Sequence, residues 1–488
     1  MVCGGIFKLD EKIFDAPIFN AMKNYSEDIQ SVFHTPGHKQ GKGAHELLKQ
    51  LVTPEGLRGE VSLMEELDDL HSPHSCIKAA EESAAKLWNA DETFFMVNGT
   101  TSAVQTMILA TLNPGDLVFV PRNSHRSVMS GLILSGAVPI FLPVEFSGEL
   151  KIPLNLQVET LRQATEKFPG AKALIITSPN YYGVAADLKK ISEPLHAAGM
   201  LLLVDEAHGA HLQFCEKLPG SAMNSGADAA AQSTHKLLGS LTQTSMLMIR
   251  GKKIDAEKFR RAASLLQTSS PNYLLLASLD IARLQMQQFG REKIFRAVEL
   301  SKKLRKEINK IPGLKTFDAV KNFSLDTTKI TVNVEGLGLT GPDAEKILRH
   351  DLKIQCELSD AANLLFLITY ADDEETISNL IRGLKKLPAY RKKNFVPVPE
   401  KKFSEKISIP TLSPRETFFA ATRTVPLEKS CGKICAEEIT FYPPGIPVLY
   451  PGEIVTPEIL QHIRETKKAG GRIIGASDLK LDTIKIIQ

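Results

Sequence analysis

Between about residue 80 and residue 250 the chain alternates short, β-rich apolar runs with longer stretches of helical pattern. The runs cover residues 93–97, 117–120, 138–142, 173–177, 201–204 and 245–249. Such alternation predicts a mostly parallel sheet with helices on both faces. Open α/β sheets of this kind bind ligands outside the carboxyl ends of their strands, so residues distant in sequence share one site. Residues 98–102, 121–125, 178–183 and 205–208 all follow apolar runs directly. They are expected to meet.

Beyond the alternating region, residues 253–310 read as long helices, broken at Thr268-Ser269-Ser270-Pro271, a turn that stops one helix and starts the next. After Pro312 the texture changes. Strand-like residues 329–334, 354–357 and 364–369 and a helical stretch at 342–349 suggest a small α+β domain. A charged, proline-containing connector at 386–402 leads to a third segment. The expected division is an N-terminal arm at 1–30, a large domain at 31–310, a small α+β domain at 311–395 and a C-terminal α+β domain at 403–488.

A chain of 488 residues, 43% hydrophobic and 24% charged, has material for several domains and large cores. Its net charge of +3 comes from Lys and Arg interspersed with Asp and Glu, so nucleic acid and anionic membranes are not expected partners. No run approaches the length of a membrane span, and residues 1–10 do not resemble a leader. Cys3, Cys76, Cys215, Cys356, Cys431 and Cys435 form no disulfide framework. Cys431 and Cys435 would be half a metal site, but no second ligand pair stands at suitable spacing, so no metal is expected. A cytoplasmic protein with a small-molecule partner fits these features.

The chemistry centres on two residues. Leu201-Leu202-Leu203-Val204 runs into Asp205, and Ser233-Thr234-His235-Lys236 follows. Pyridoxal phosphate needs an amine to hold its aldehyde as a Schiff base and an anion against its pyridine nitrogen, and Lys236 and Asp205 suit those tasks. Each has a plainer reading, Asp205 as a cap or ion-pair partner and Lys236 as a solvated lysine. The low charge around Lys236 suits an amine that must be deprotonated near neutral pH. Asn98-Gly99-Thr100-Thr101-Ser102 opens a helix at 103–112, where free N–H groups and hydroxyls can hold a phosphate, or simply cap the helix. His125 is placed to stack on a pyridine ring or to lie on the surface, and His208 is similarly placed. Glu357, with Asp360 close by, is either a partner for the distal cation of a basic substrate or a solvated strand-end carboxylate.

Seven motifs then fall in one order: His34-Thr35-Pro36-Gly37-His38-Lys39, Leu67-Asp68-Asp69-Leu70-His71, Asn98-Gly99-Thr100-Thr101, Pro121-Arg122-Asn123-Ser124-His125-Arg126, Asp205-Glu206-Ala207-His208-Gly209, Ser233-Thr234-His235-Lys236 and Tyr442-Pro443-Pro444-Gly445-Ile446-Pro447. Together they resemble the Orn/Lys/Arg decarboxylases of the aspartate-aminotransferase fold, from about residue 15 to 475. The resemblance implies a fold type I large domain with a seven-stranded sheet and pyridoxal 5'-phosphate as cofactor. It makes Lys236 the Schiff-base lysine, Asp205 the pyridinium partner, His125 the ring-stacking histidine, and Thr101 with Ser102 the phosphate ligands. Thr100, Ser233, His235 and His208 join the cofactor-binding set, with His235 beside the Schiff base.

In this fold the site lies at a dimer interface. The resemblance therefore implies a homodimer or dimer of dimers, with Ser269 or Ser270 reaching the neighbour's phosphate and the His34–His38 stretch approaching its substrate. Glu357 falls where the family recognises the distal group of the substrate. The long bacterial members carry an N-terminal wing that this chain, beginning almost at the core motif, is expected to lack. They also have tryptophan where His208 stands.

The implied activity is decarboxylation of a basic amino acid, with arginine to agmatine and carbon dioxide, a step of polyamine biosynthesis, favoured by the short architecture. Lysine and ornithine remain alternatives, and an aminotransferase, an aldolase or a non-catalytic cofactor-binding regulator the readings from other classes. The Tyr442–Pro447 stretch and Pro451-Gly452-Glu453 point to the decarboxylases. Their prolines are expected to fix a rigid turn between the last domain and the core.

Overall fold

The computed structural model describes residues 15–393, 406–442, 446–468 and 472–488. Its largest sheet has seven strands: β1 (Glu92–Met96), β2 (Leu117–Pro121), β3 (Val138–Leu142), β4 (Ala173–Thr177), β5 (Leu201–Asp205), β6 (Ala229–Gln232) and β7 (Ser245–Ile249). They lie in the order β1-β7-β6-β5-β4-β2-β3. All neighbours are parallel except β7, which runs antiparallel to both β1 and β6. The carboxyl ends of the other six strands therefore share one edge with the amino end of β7.

Six of the seven strands follow the apolar runs, because a strand covered on both faces is apolar at successive positions. On β1, Phe95 faces one core with Val97 just beyond it, while Phe94 and Met96 face the other; Leu202 and Val204 likewise divide from Leu203 on β5. The unanticipated strand is β6. Its Ala229-Ala230-Ala231 carries no β-branched or aromatic signal, and the helix Gly99–Thr111 packs against it.

Helix Tyr273–Ile308 begins where Asn272 caps it, just past the Thr268–Pro271 turn. At 36 residues it is about 54 Å long and serves two cores. Leu276, Leu279 and Met286 pack with the large sheet, and Leu300, Leu304 and Ile308 with a second unit. There, Lys329–Asn333 and Leu358–Ser359 flank Asn363–Leu367 in an antiparallel sheet covered by helices Gly341–His350 and Glu374–Leu384. The strand expected at 354–357 is not formed. Lys353 turns the chain with φ +58°, the Ile354 amide returns to Leu348 O, and bonding to the neighbouring strand begins only with the Glu357 amide on Leu365 O.

The last unit has its own core around Ile439, Leu449, Ile463 and Ile486. In it, Ile439–Tyr442 lies between Ile446–Leu449 and Arg472–Ile474. Both flanks of the Tyr442–Pro447 motif are thus neighbouring strands of this unit, with Phe441 opposite Ile446, rather than a link to the core; Pro443, Pro444 and Gly445 lie outside the described residues. So do residues 1–14 of the expected N-terminal arm and 394–402 of the connector. Among the described residues, no helix is long and apolar enough to cross a membrane.

Candidate active site

A cavity of about 460 Å³ lies over the shared sheet edge. Loops after β1, β2, β4, β5 and β6 and the loop before β7 form its wall, contributing Thr101, His125, Tyr181, His208, Lys236 and Gln243 among others. This brings together residues spread over more than a hundred positions, as the strand pattern required.

Lys236 sits in a four-residue helical turn directly after β6. Its Nζ is 3.1 Å from Nε2 of His208 and 5.6 Å from the centre of the Tyr181 ring. Burial holds its amine below the usual lysine range, helped by the Lys329 charge and opposed by Asp205 and Glu357. His208 is fully enclosed, and burial, with the Lys236 and Lys329 charges, pushes its proton affinity well below the ordinary histidine value. It is neutral near pH 7. Beneath it, Lys329 Nζ donates to the His208 carbonyl at 3.2 Å and pairs with Asp326 at 3.2 Å, a carboxylate that also meets His211 at 3.1 Å.

Asp205, buried at the end of β5, has Oδ1 anchored by the Ala207 amide at 3.1 Å. His125 caps the helix Arg126–Ser135, accepting from the Ser127 amide at Nδ1. The proton of its neutral ring is therefore on Nε2. Burial lowers its basicity, against the pull of Asp205. His235 is fixed in the complementary way, donating Nδ1–H to Thr244 O at 2.7 Å, which leaves the Nε2 lone pair free.

At the start of helix Gly99–Thr111, Asn98 makes no side-chain cap, so the first-turn amides are open to an anion. Gly99 there has φ +72°, and its N–H goes to Gln243 O. The Thr100 hydroxyl lies 2.5 Å from that of Ser233 and donates to Ser245 at 2.8 Å; Thr101 is open to the cavity. Ser102 is placed differently. Its hydroxyl is fully buried and donates back to Gly99 O, away from the cavity wall.

Five other expected residues stand outside the wall. Asp360 is enclosed by Tyr182, Asn363 and the Ala362 amide, which tie its carboxylate into the loop before Asn363–Leu367. A substrate cation cannot use it there. His34 pairs with Tyr25 at 2.7 Å, and Ser269 and Ser270 are exposed. Glu357 is exposed too, but its charge reaches both Lys236 and Lys329. Tyr181 was missed by sequence reasoning: its ring packs on His208 with centroids 4.4 Å apart. The signal was an aromatic in one of the four strand-end segments. Among the described residues no cluster could hold a metal, and Cys435 is buried with its thiol on Glu437 O.

Fold and cavity together define an α/β enzyme with its site at the carboxyl edge of a mostly parallel sheet. The chain belongs to the Orn/Lys/Arg decarboxylase family, matching the major domain over residues 16–333 and the C-terminal domain over 399–475. It is 40% identical over 478 residues to an arginine decarboxylase of Halalkalibacterium halodurans, covering 97% of each chain. It is 39% identical over 487 residues to an arginine decarboxylase of Bacillus anthracis, covering 97% of this chain and 98% of that one. Among solved structures, a lysine decarboxylase of Francisella novicida superposes with a TM-score of 0.85 at 22% identity, over 98% of this chain and 82% of the other. That last likeness bears on fold alone. The family and fold expected from the motifs are borne out.

Proposed function

We propose that this chain binds pyridoxal 5'-phosphate and decarboxylates arginine to agmatine and carbon dioxide. The observation that carries the cofactor is the meeting of three unlike groups around one cavity: a buried amine of lowered basicity, a buried carboxylate, and an uncapped helix start lined with hydroxyls. They fit an aldehyde, a pyridine nitrogen and a phosphate. When bound, the cofactor supplies a carbonyl for amine attachment and an electron-withdrawing ring.

Lys236 Nζ would hold the aldehyde. Asp205 would keep a proton on the ring nitrogen, and His125 would cover the ring face. The amides after Asn98, with Thr100, Thr101 and Ser233, hold the phosphate. Tyr181 and His208 close the side wall around the amine and limit water there. With the Cα–carboxylate bond broken and its electron pair left at Cα, Lys236 Nζ would return a proton to that carbon, since the proton of His235 is held on Thr244 O. Glu357 takes the distal cation of the substrate.

Arginine is favoured by the relatives named arginine decarboxylase over nearly the full chain. Two copies share the sites, with His34 and Ser269 or Ser270, absent from the chain's own cavity wall, contributing to the neighbour's. The deciding experiment is carbon dioxide release from arginine, lysine and ornithine by the cofactor-loaded protein. Arginine is expected to be turned over with the highest kcat/KM; a preference for lysine or ornithine refutes the substrate, and keto-acid formation refutes the reaction.

A further inference from the structure

Pro451-Gly452-Glu453 has no part in the chemistry above, yet it touches the loop that carries His125. Arg122, three residues before His125, is buried and ion-paired with Glu453, whose Oε2 is also 3.4 Å from Nη1. Its guanidinium lies 5.1 Å from the centre of the Phe141 ring and 5.6 Å from that of Tyr450, and the two rings stack 4.4 Å apart at 7°. The last unit also holds the backbone here. Tyr450 Oη donates to Arg122 O at 3.0 Å, while Ser408 pairs through its backbone with Phe141 and accepts from Arg122 Nη2 at 3.2 Å.

Such a grip is more than adhesion needs. A buried ion pair gives little stability over an apolar contact of the same size, which leaves position as the use to test here. Here both ends of one residue are fixed, and the turn that follows is short: Ser124 closes it onto Pro121 O, and His125 then caps its helix. Displacement of Arg122 would be passed directly to Asn123, Ser124 and His125, all on the cavity wall.

We propose that Arg122 is a positioning residue for His125, and that the C-terminal unit sets this position through Tyr450 and Glu453. The inference rests on the reading that His125 covers the cofactor ring. It gives the C-terminal unit a role in catalysis without a residue in the cavity.

The test compares the cofactor-loaded full chain with Arg122→Met, Tyr450→Phe, His125→Ala and the Arg122→Met/His125→Ala pair. Arg122→Met is expected to lower kcat by ~10- to 100-fold with KM for arginine little changed, and to alter the circular dichroism of the bound cofactor. In the His125→Ala background it should add less than about a twofold loss, because its effect passes through that ring. Wild-type kcat in Arg122→Met, or losses that multiply in the pair, overturns the proposal. Should Arg122→Met fail to fold, Tyr450→Phe removes one hydroxyl and keeps the ring stack; unchanged kcat and dichroism there overturn it equally. If His125→Ala itself leaves kcat and dichroism unaltered, the reading of His125 fails instead.

Discussion

Lys236 Nζ stands 3.1 Å from His208 Nε2, and the Lys329 chain that supports the His208 carbonyl adds a second positive charge to the same neighbourhood. Burial and Lys329 both favour the neutral amine. An amine of lowered basicity is the nucleophile only above its own pKa and is lost as pH falls through it. The rate of cofactor attachment to the apoprotein, followed by visible absorbance, should therefore have its midpoint below the 10.5 of an ordinary lysine. Lys329→Met, by removing the facing charge, should move that midpoint upward. A wild-type midpoint at or above 10.5 contradicts this account.

Glu357 is exposed, yet its carboxylate favours the charged forms of Lys236 and Lys329, so its field reaches the cavity. A substrate guanidinium would meet the same field. Glu357→Gln is expected to raise KM for arginine by ~10- to 100-fold, the worth of one charge-assisted contact, with a smaller effect on kcat. Steady-state kinetics check this; an unchanged KM would remove Glu357 from substrate recognition.

The sheet was legible because doubly covered strands leave unbroken apolar runs, and its edge was legible because chemistry-bearing residues follow those runs. Strand β6 was hidden, since alanines selected for a close helix carry no strand signal. Ser102 and Asp360 show a different limit. Sequence places a residue near a site but does not say whether a neighbour takes its polar atoms, and here Gly99 O takes one hydroxyl and Tyr182 and Asn363 take one carboxylate. The contact of Arg122 with Glu453 spans 331 positions. Both lay in motifs that were recognised, but nothing in either motif indicates that they touch.

Phe33, Leu51 and Leu265 are 93%, 83% and 75% exposed in the single chain, large apolar surface that water does not favour. A second copy covering them would account for this and for the position of His34 outside its own cavity wall. Light scattering should give at least about twice the 53.6 kDa chain mass. Phe33→Asp/Leu51→Asp should shift the protein toward single chains and reduce turnover although Lys236 is intact. A wild-type protein that stays single and active would refute shared sites.

Glu206, next to Asp205, is fully buried with Oε1 on the Ala222 amide at 2.7 Å and Oε2 on Gln232 Nε2 at 2.6 Å. Two neutral donors do not offset the loss of water, and burial pushes its carboxyl up to about 8 from 4.5. The folded protein thus keeps a proton that the unfolded chain has released. Its stabilising effect is complete below 4.5 and is lost as pH rises toward about 8, with a slope of up to about 1.4 kcal/mol per pH unit. Glu206→Gln is neutral at every pH, and its amide can pair with Gln232 Oε1, which now has no partner. The gap in melting temperature between variant and wild type should therefore widen in the variant's favour from about pH 5 to about pH 9. Glu81, also raised by burial, titrates in both proteins and cancels in that difference. A constant gap across the range would mean that Glu206 is ionised in the folded state and that the donors around it suffice to hold the charge.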